Sequence, residues 1–432
     1  MTAPPTIDVA AVAEENARRR AGHERALGQL AAALAARGID LEEVVAEVAR
    51  FSVAAPSWAL GTGGTRFGRF PGGGEPRTVE EKIDDVAALD RLTGANRTIS
   101  LHVPWDDPDD PDAVVEHARR RGIGFDAINS NTFQDNPSTT ADGAVSYKFG
   151  SLAHTDAGVR REAIEHNRRV TELGRRLGAK ALSVWLADGT SYPGQGTFRK
   201  QFERVAECLH TIHGALPADW LLLVEHKPYE PAFYSTVNSD WGSSLLLAQA
   251  AGERARCLVD LGHHLPNTNV EQIVSRLAMV GRLGGFHFND ARYGDDDLTV
   301  GSVRPYQLFL VMLELLDAGG GTMPAVAYMI DASHNLKDPL EDLIQSTDAL
   351  QHALALALCV DREELSDAQE RNDPTWAAEV LHAAHRTDVR PLVAEARARN
   401  GAALDPIATF RALRYREATI AARGAGTSAT GL

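Results

Sequence analysis

Eight short apolar segments, separated by stretches with helical periodicity, constrain the fold of this chain more than any other feature of its sequence. Each segment is apolar throughout rather than alternating, which is typical of strands covered on both faces in a parallel sheet. The segments are residues 51–56, 98–103, 124–129, 179–186, 220–225, 256–260, 283–288 and 326–331. Helical patterns follow them at 78–92, 112–121, 159–177, 198–216, 243–253, 270–280, 305–316 and 339–359. Eight strand–helix pairs predict an α/β fold, the (β/α)8 or TIM barrel.

Helical patterns extend beyond the predicted barrel at both ends. We expect residues 1–50 to form an N-terminal helical extension and residues 51–360 to form the barrel with the metal site. Residues 361–432 are rich in Ala, Arg and Glu, and their periodicity predicts a C-terminal helical extension that contacts another subunit. The small polar residues at 424–432 are expected to form a mobile tail.

The composition excludes several classes of protein. Of the 432 residues, 44% are hydrophobic and 24% are charged, which excludes a disordered or fibrous chain. The 44 basic and 59 acidic side chains give a net charge of −15, whereas binding to nucleic acid or to an anionic membrane needs a basic surface. We therefore expect no nucleic-acid partner and no membrane partner, and a cationic or neutral polar ligand.

The cysteines and the N-terminal sequence bear on location. Cys208, Cys257 and Cys359 form no CxxC pair, and their number is odd. Neither a disulfide framework nor a thiolate zinc site fits this pattern, which favours a reducing compartment. The sequence opens with no signal-peptide pattern and contains no run of about 18 apolar residues that would predict a transmembrane helix. A cytoplasmic location is expected.

Side chains with metal-binding chemistry end four consecutive predicted strands. Glu225 ends the fifth strand, Asp260 the sixth and Asp331 the eighth, and His287 lies near the end of the seventh. In such barrels functional groups lie at the carboxyl ends of the strands, so these four are expected to meet at one height. Each alone is more often a cap or a satisfied core residue, but three carboxylates together repel one another unless a divalent ion offsets their charge. The oxygen-rich set suits Mn²⁺, Co²⁺ or Mg²⁺.

A second acidic cluster lies beside the first. His263 stands three residues after Asp260, and Asp295 and Asp297 follow the seventh strand. Alternate residues of an extended segment point the same way, so Asp295 and Asp297 could hold a second cation together with His263. A solvated acidic turn is the alternative interpretation. The neighbouring residues that the sequence leaves open as ligands are His264, Asp290 and Asp296.

Lys227 and His102 are candidates for contact with a substrate. Lys227 lies two residues beyond Glu225, on the same side of the strand end, where its ammonium is expected to contact a substrate oxygen; the alternative is a surface lysine. His102 ends the second strand with Asp106 nearby, and a histidine near a carboxylate can move protons near neutral pH. The aromatic residues predicted at the same rim are Trp58, Phe133 and Trp185. Each alone is more often core packing, but three at one rim predict an apolar wall that suits a sugar.

These motifs together resemble the xylose-isomerase-like barrel superfamily and, within it, the pseudomonad-type L-rhamnose isomerases of broad aldose specificity. Residues 225–228 (EHKP) resemble the Glu-x-Lys-Pro element of sugar isomerases. Residues 257–264 (CLVDLGHH) are similar to the strand-six element that carries one ligand for each of two metals. Residues 285–290 (GFHFND) and 294–301 (GDDDLTVG) are similar to the strand-seven element of rhamnose isomerases. The resemblance covers residues 50–340.

The resemblance implies a set of site residues, cofactors and an assembly. It implies a structural metal ion at Glu225, Asp260, His287 and Asp331, and a catalytic metal ion at His263, Asp295 and Asp297. Both ions are expected to be Mn²⁺, with Co²⁺, Mg²⁺ or Zn²⁺ as alternatives. The residues assigned to catalysis are His102, Lys227, Asp295 and Asp297, and those assigned to substrate binding are Trp58, His102, Phe133, Trp185 and Lys227. A homotetramer is also implied.

The expected reaction is aldose–ketose isomerisation, L-rhamnose to L-rhamnulose, with other aldoses as further substrates. One hydrogen moves between C1 and C2 and one proton between O1 and O2, and the sequence leaves a hydride shift and an enediol route open. The alternatives are a ketose 3-epimerase or other sugar isomerase on the same barrel, a metal-dependent nuclease of the superfamily, and a non-catalytic sugar-binding protein. Lys227 and the second cluster favour an isomerase over an epimerase, and the net charge of −15 disfavours a nuclease. A binding protein has no need for so many ligand-type side chains.

Overall fold

The computed structural model describes residues 6–60, 72–133, 135, 145–332 and 336–426, and its centre is a set of parallel strands covered by helices. The strands in these ranges are β1 (Ala55–Pro56), β2 (Thr98–Ser100), β3 (His102–Val103), β4 (Gly124–Phe125), β5 (Ile128–Ser130), β6 (Ala181–Trp185), β7 (Gly189–Thr190), β8 (Leu221–Glu225), β9 (Ser235–Thr236), β10 (Ala255–Asp260), β11 (Leu283–Phe288) and β12 (Ala327–Ile330). Seven of them form one curled sheet in the order β12-β11-β10-β8-β6-β5-β3, with every pairing parallel. The parallel α/β architecture expected from the sequence is confirmed.

The segments around β1 and β2 connect to both end strands of the seven-stranded sheet, β3 and β12. β1, β2 and β4 form a second parallel sheet, and only Leu101 separates β2 from β3. A parallel bridge joins Ala54 to Met329, with hydrogen bonds from Ala54 N to the Tyr328 carbonyl (2.8 Å) and from Ile330 N to the Ala54 carbonyl (3.0 Å). β1 is shorter than the predicted segment 51–56, because only Ala55 and Pro56 pair with β2, whereas Ala54 forms an isolated bridge to Met329.

Helices follow the strands and begin and end at residues that cap them. Asp240 caps the helix that starts at Trp241 by accepting a hydrogen bond from Ser243 N (2.9 Å). The helix Val79–Thr93 ends at Gly94, whose φ of 67° is a conformation that favours glycine. The helices between and after the strands are Val79–Thr93, Pro111–Arg121, Ala157–Leu177, Phe198–Ala215, Trp241–Ala251, Val270–Met279, Pro305–Ala318 and Pro339–Leu358. Each differs from its predicted range by no more than two residues at either end.

A compact apolar cluster lies on the inner face of the strands. Its buried members are Ala54, Ala127, Ala181, Leu223, Leu258 and Met329. Because side chains alternate along a strand, Leu223 and Glu225 of β8 lie on the same face, two residues apart. The polar residues at the strand ends therefore stand directly above this apolar floor, at the carboxyl-terminal edge of the sheet.

Two further helices precede the strands, and five follow them among the described residues. They are Val9–Ala35, Leu41–Arg50, Arg362–Glu370, Pro374–His385, Arg390–Arg399, Pro406–Ala412 and Tyr415–Arg423. The two groups contact each other, since Asn16 Nδ2 donates to the Ala402 carbonyl (2.9 Å) and His23 Nε2 lies 2.9 Å from Oε2 of Glu395. The tail predicted at 424–432 lies outside the described residues from 427 onward.

Every cysteine of the chain is unpaired and buried. Cys208, Cys257 and Cys359 lie in the apolar core, and none has a disulfide partner. Burial raises the pKa of each thiol to about 11. The sulfur atoms therefore act as small apolar groups in the packing.

Among the described residues, no single helix has both the length and the apolarity needed to cross a membrane. The consecutive helices Pro339–Leu358 and Arg362–Glu370 reach both only when they are taken together, and they meet at a bend of 62°.

Candidate active site

Four strand ends bring Glu225, Asp260, His287 and Asp331 together. Glu225 ends β8, Asp260 ends β10, and His287 is the next-to-last residue of β11. Asp331 directly follows β12 and continues its pairing, since Asp331 N donates to the Phe288 carbonyl (2.8 Å). One ligand atom from each of the four lies within 4.8 Å of the others, so the group could hold a metal ion.

A single imidazole nitrogen faces the three carboxylates. Nδ1 of His287 lies 3.1 Å from Oε1 of Glu225. The same atom lies 3.5 Å from Oδ2 of Asp331 and 3.8 Å from Oδ2 of Asp260. Three carboxylates and one imidazole make the oxygen-rich donor set that hard divalent cations prefer.

Burial makes this concentration of charge costly without a cation. Burial raises the pKa of Asp260 to about 7, and it also raises the pKa of Asp331. Burial lowers the pKa of His287, but the carboxylate of Glu225 outweighs this effect, and the pKa of His287 rises to about 9. At Glu225 burial raises the pKa, but His287 and His263 outweigh it and hold the pKa well below its usual range. A divalent ion supplies the positive charge that this cluster lacks, so the residues present fit such an ion.

Neighbouring groups fix the direction of the Asp260 carboxylate. Its Oδ1 accepts hydrogen bonds from Gly262 N (2.7 Å) and His263 N (3.1 Å). The amide of Asn289 donates to both Asp260 oxygens, at 3.0 and 3.1 Å. Asn289 was not predicted from the sequence, although its place two residues after His287 puts the two side chains on one face of the chain. Outer partners of this kind orient metal ligands.

His263 lies between Glu225 and Asp295. Its Nδ1 is 3.1 Å from Oε1 of Glu225, and its Nε2 is 2.9 Å from Oδ1 of Asp295. Burial lowers the pKa of His263, but the carboxylates of Asp260 and Asp295 outweigh this effect and raise the pKa well above its ordinary value. Asp297 faces the same cavity. The three residues predicted to hold a second ion therefore share one cavity with the first group.

The extended geometry predicted for the acidic segment is wrong. Asp295 and Asp297 have φ angles of 55° and 47°, in the left-handed region. The carboxylate of Asp296 accepts hydrogen bonds from Arg292 N (2.6 Å) and Tyr293 N (2.9 Å), so a local turn replaces the extended segment. Aspartate tolerates the left-handed conformation better than most residues, which allows the turn to carry two of them.

The residues that the sequence left open as further ligands have other partners. Asp290 accepts hydrogen bonds from three backbone N–H groups, at 2.7, 2.8 and 2.9 Å. The ring of His264 packs against that of His226, with 4.8 Å between their centroids. Asp296 closes its own turn. None of the three is among the described residues that line the cavity.

A cavity opens above the cluster. Every residue assigned to catalysis or substrate binding lines it, and Asp260 is the one assigned ligand outside its described lining. Asn129 and Ser130 line the cavity as well. Asn129 was not predicted as a site residue, although it ends the third predicted strand, as the proposed metal ligands end theirs.

Aromatic rings form one wall of the cavity. The ring centroids of Trp58 and His102 are 5.5 Å apart, and those of Phe133 and Trp185 are 4.0 Å apart. Trp105 was not predicted from the sequence, and its ring centroid lies 4.8 Å from that of His102. Burial lowers the pKa of His102 to about 4, so its imidazole is neutral at neutral pH. The wall is therefore uncharged and suits the C–H faces of a sugar.

Asp106 contacts the backbone of His102. His102 N donates to Oδ2 of Asp106 (2.8 Å), and Asp106 N donates to the His102 carbonyl (2.9 Å). The same carboxylate accepts a hydrogen bond from Oγ of Ser57 and pairs with the ammonium of Lys82. The contact expected between the carboxylate and the imidazole is replaced by one to the main chain, because the turn after β3 brings Asp106 back to the start of that strand.

Lys227 is buried, and the alternative of a surface lysine is wrong. Its Nζ lies 4.3 Å from the centroid of the Trp185 ring and 3.2 Å from Oε2 of Glu230. The ammonium also pairs with the carboxylate of Asp295. A buried ammonium that lines a cavity can donate a strong, charge-assisted hydrogen bond to a ligand oxygen.

The chain is similar to curated proteins over almost its whole length. It is 52% identical over 427 residues to a probable sugar isomerase of Mesorhizobium japonicum, with 98% of both chains covered. It is 51% identical over 423 residues to a probable sugar isomerase of Rhizobium meliloti, with 97% of both chains covered. A weaker likeness, 25% identity over 270 residues, relates 56% of this chain to 62% of an L-rhamnose isomerase of Escherichia coli. No model of a known protein family matches the chain.

The solved structure of an L-ribulose 3-epimerase has a similar fold. The two chains align with a TM-score of 0.53 at 13% sequence identity, over 75% of this chain and 100% of the other. At this identity the likeness concerns the fold alone.

Proposed function

The chain belongs to the family of these two probable sugar isomerases, and we propose that it is a metal-dependent enzyme that interconverts an aldose and a ketose. The cavity carries this proposal, because four metal-competent side chains, a buried ammonium and an uncharged aromatic wall meet in it. Isomerisation of a sugar needs polar groups that polarise a carbonyl, beside apolar walls that keep water from the reacting carbons.

We propose that two divalent ions bind in the cavity. The proposed ligands are Glu225, Asp260, His287 and Asp331 for the first ion and His263, Asp295 and Asp297 for the second. When bound, such ions polarise the C1 carbonyl and hold hydroxyl oxygens of the open-chain sugar. The proposed metal is Mn²⁺, with Co²⁺, Mg²⁺ or Zn²⁺ as alternatives, since the donors are mainly oxygens.

The chain's own residues bind the sugar and move a proton. Lys227 donates a hydrogen bond to a substrate oxygen, because its ammonium lines the cavity beside the Trp185 ring. Asp295 or Asp297 takes part in moving the hydroxyl proton from O2 to O1, as a carboxylate within reach of a hydroxyl can. The neutral ring of His102 and the indole of Trp58 pack against the sugar.

We propose L-rhamnose as substrate and L-rhamnulose as product, with other aldoses as further candidates. The weaker likeness to an L-rhamnose isomerase supports this choice. The closely packed rings of Phe133 and Trp185 support it as well, because an apolar surface favours the methyl group that ends a 6-deoxy sugar.

The proposed architecture is a complete (β/α)8 barrel within residues 51–360, with helical extensions at 1–50 and 361–432. The bridge between Ala54 and Met329 supports closure, because it joins the first strand region to the last strand of the seven-stranded order. The proposed assembly is a homotetramer, and light scattering from the purified protein measures its mass.

Protein that has been dialysed against a chelator and then supplied with Mn²⁺ tests the activity. With L-rhamnose we expect a ketose to form only when the metal is present, with the product identified by NMR. A second assay supplies L-rhamnulose, which a ketose 3-epimerase would convert to its C3 epimer without forming an aldose. A binding protein would form no product from either sugar. Either result would contradict the proposal.

A further inference from the structure

One buried carboxylate, that of Asp106, holds the backbone that carries part of the cavity wall. Asp106 is 1% exposed and closes the turn that begins at His102. Its N–H donates to the His102 carbonyl (2.9 Å), and His102 N donates back to its Oδ2 (2.8 Å). One residue thus fixes both ends of the turn, and Trp105, whose ring packs on His102, lies within it.

The same carboxylate holds the end of the first strand. Oγ of Ser57 donates to Oδ2 of Asp106. Ser57 is buried and starts the short 3₁₀ helix Ser57–Ala59, which carries Trp58. The distance of 5.5 Å between the rings of Trp58 and His102 therefore depends on two hydrogen bonds that meet at one oxygen atom.

Lys82 provides the charge that balances this carboxylate. Its ammonium pairs with Oδ1 of Asp106, the oxygen that Ser57 and His102 do not use. Lys82 belongs to the helix Val79–Thr93, so three separate parts of the chain converge on one side chain. A buried carboxylate that accepts from a hydroxyl, a backbone N–H and an ammonium is held in one orientation, because donors from three parts of the chain engage both of its oxygens.

We propose that Asp106 is a positioning residue for sugar binding: it fixes the placement of Trp58, His102 and Trp105 relative to one another and so shapes the wall of the cavity. It acts through these rings and takes no part in proton transfer. The inference rests on the proposed function for the identity of the ligand, whereas the placement of the rings is a property of the free protein.

The variant Asp106→Asn tests this role, with Asp84→Asn as a matched control. Asparagine keeps the shape of aspartate but has one acceptor oxygen, so its NH₂ group must face either Lys82 or the two donors Ser57 and His102. Asp84 is also a buried aspartate, and it lies on the helix Val79–Thr93 outside the described cavity lining. It pairs with Arg121 (2.6 Å) and His117 (2.9 Å). Both variants remove one buried carboxylate, but only that of Asp106 holds the wall.

Two readouts separate positioning from general stability. Near-ultraviolet circular dichroism of the free protein reports the packing of the tryptophan rings, and steady-state kinetics with L-rhamnose reports binding and turnover. With saturating Mn²⁺, we expect for Asp106→Asn an altered spectrum and a KM about 10-fold higher with a smaller change in kcat, because contacts with the wall are made in the ground state and in the transition state alike. Asp84→Asn should keep the wild-type spectrum and KM even where its melting temperature falls.

Two results would overturn the proposal. The first is a wild-type spectrum and KM in Asp106→Asn. The second is a large fall in kcat at constant KM, which would place Asp106 in the chemical step. If Asp106→Asn does not fold, Ser57→Ala decides, because it removes one contact beside Trp58 and leaves the ion pair with Lys82.

For Ser57→Ala we expect smaller shifts in the same directions, and an unchanged spectrum and KM would again contradict the role. A wild-type protein that forms no ketose would overturn the proposed function. The near-ultraviolet spectra of the wild-type protein and of Asp106→Asn would still decide whether Asp106 places the rings.

Discussion

Nε1 of Trp58 donates a hydrogen bond of 2.7 Å to Oδ1 of Asp331. The bond joins a residue of the aromatic wall to a proposed metal ligand, next to the bridge between Ala54 and Met329. The other oxygen of Asp331, Oδ2, faces His287 at 3.5 Å. The binding of the proposed ion and the shape of the wall are therefore expected to be coupled through one carboxylate.

The variant Trp58→Phe should weaken metal binding. Phenylalanine keeps an aromatic face but has no N–H, so Asp331 loses the donor that orients it. Loss of an outer hydrogen bond typically lowers metal affinity by about 10-fold or more. Calorimetric titration of the metal-free protein with Mn²⁺ measures the change. Trp376→Phe is the control, because its indole donates to the carboxylate of Glu364 at the exposed surface. Equal affinities in the two variants would contradict the coupling.

The variant Glu225→Gln should lose most of its metal and most of its activity. A neutral amide is a poorer ligand for a hard cation than a carboxylate is. The change also removes the negative charge that His263 and His287 share, so both imidazoles lose a charged partner at 3.1 Å. Metal analysis after dialysis, together with turnover of L-rhamnose, measures the effect. Full metal content with normal turnover would show that Glu225 is not a ligand.

The variants His263→Ala and Asp297→Ala should lose turnover and keep the fold. We expect the metal content to fall from two ions per chain to one, because the four ligands of the first group remain in place. Circular dichroism reports the fold, and elemental analysis reports the stoichiometry. If these variants unfold while Glu225→Gln stays folded, the assignment of the two sites is reversed.

The variant Lys227→Met should lower kcat by roughly 10²-fold, as the loss of one donor to a developing charge does. KM should change less, since an interaction made mainly in the transition state adds little to ground-state binding. The control is Lys180→Met, which removes an exposed lysine that pairs with Asp219. An unaltered kcat would exclude Lys227 from the reaction. Loss of metal would instead show that its ammonium mainly balances the charge of Asp295.

Metal binding should release protons at neutral pH and strengthen as the pH rises. The pKa of His287 rises from its ordinary value of 6.5 to about 9, and that of Asp260 rises from 3.8 to about 7. A raised pKa favours the folded state below the unfolded value, and this contribution is lost as the pH passes the folded value. For His287 the loss falls between pH 6.5 and about 9, and for Asp260 it is complete above about pH 7.

Thermal unfolding at pH 6.5, 7.5 and 8.5, with and without Mn²⁺, checks this dependence. The metal-free protein should lose stability across the series, and the metal-bound protein should lose less, because the ion replaces the protons. The gap between the two melting temperatures should therefore widen with pH. A constant gap would mean that the cluster carries no proton for the ion to displace.

The strand ends are the part of the site that the sequence could predict. Parallel strands pair in a fixed register, as Asp260 does with His287, so side chains far apart in the sequence come to the same height. In the sequence, the last residue of each apolar segment marks the position that reaches this common level. The same rule would have found Asn129, which ends the third predicted strand.

Contacts made by turns could not be read from the sequence. The left-handed conformations of Asp295 and Asp297 depend on which backbone groups a neighbouring carboxylate reaches. The partners of Asp106 in the folded chain, Ser57 and Lys82, lie 49 and 24 residues away. Periodicity reports which face of an element is buried, but it does not report which distant donor meets a given acceptor.

The burial of every cysteine leaves the folded chain without a reactive sulfur. The three thiols have pKa values of about 11, so almost none is a thiolate at neutral pH. Maleimide reagents should therefore leave the native protein unmodified. A cysteine introduced at Tyr192, which follows β7 and is 73% exposed, would accept a single fluorophore with no background labelling. Fluorescence from that one dye would allow the folded chain to be followed in individual molecules.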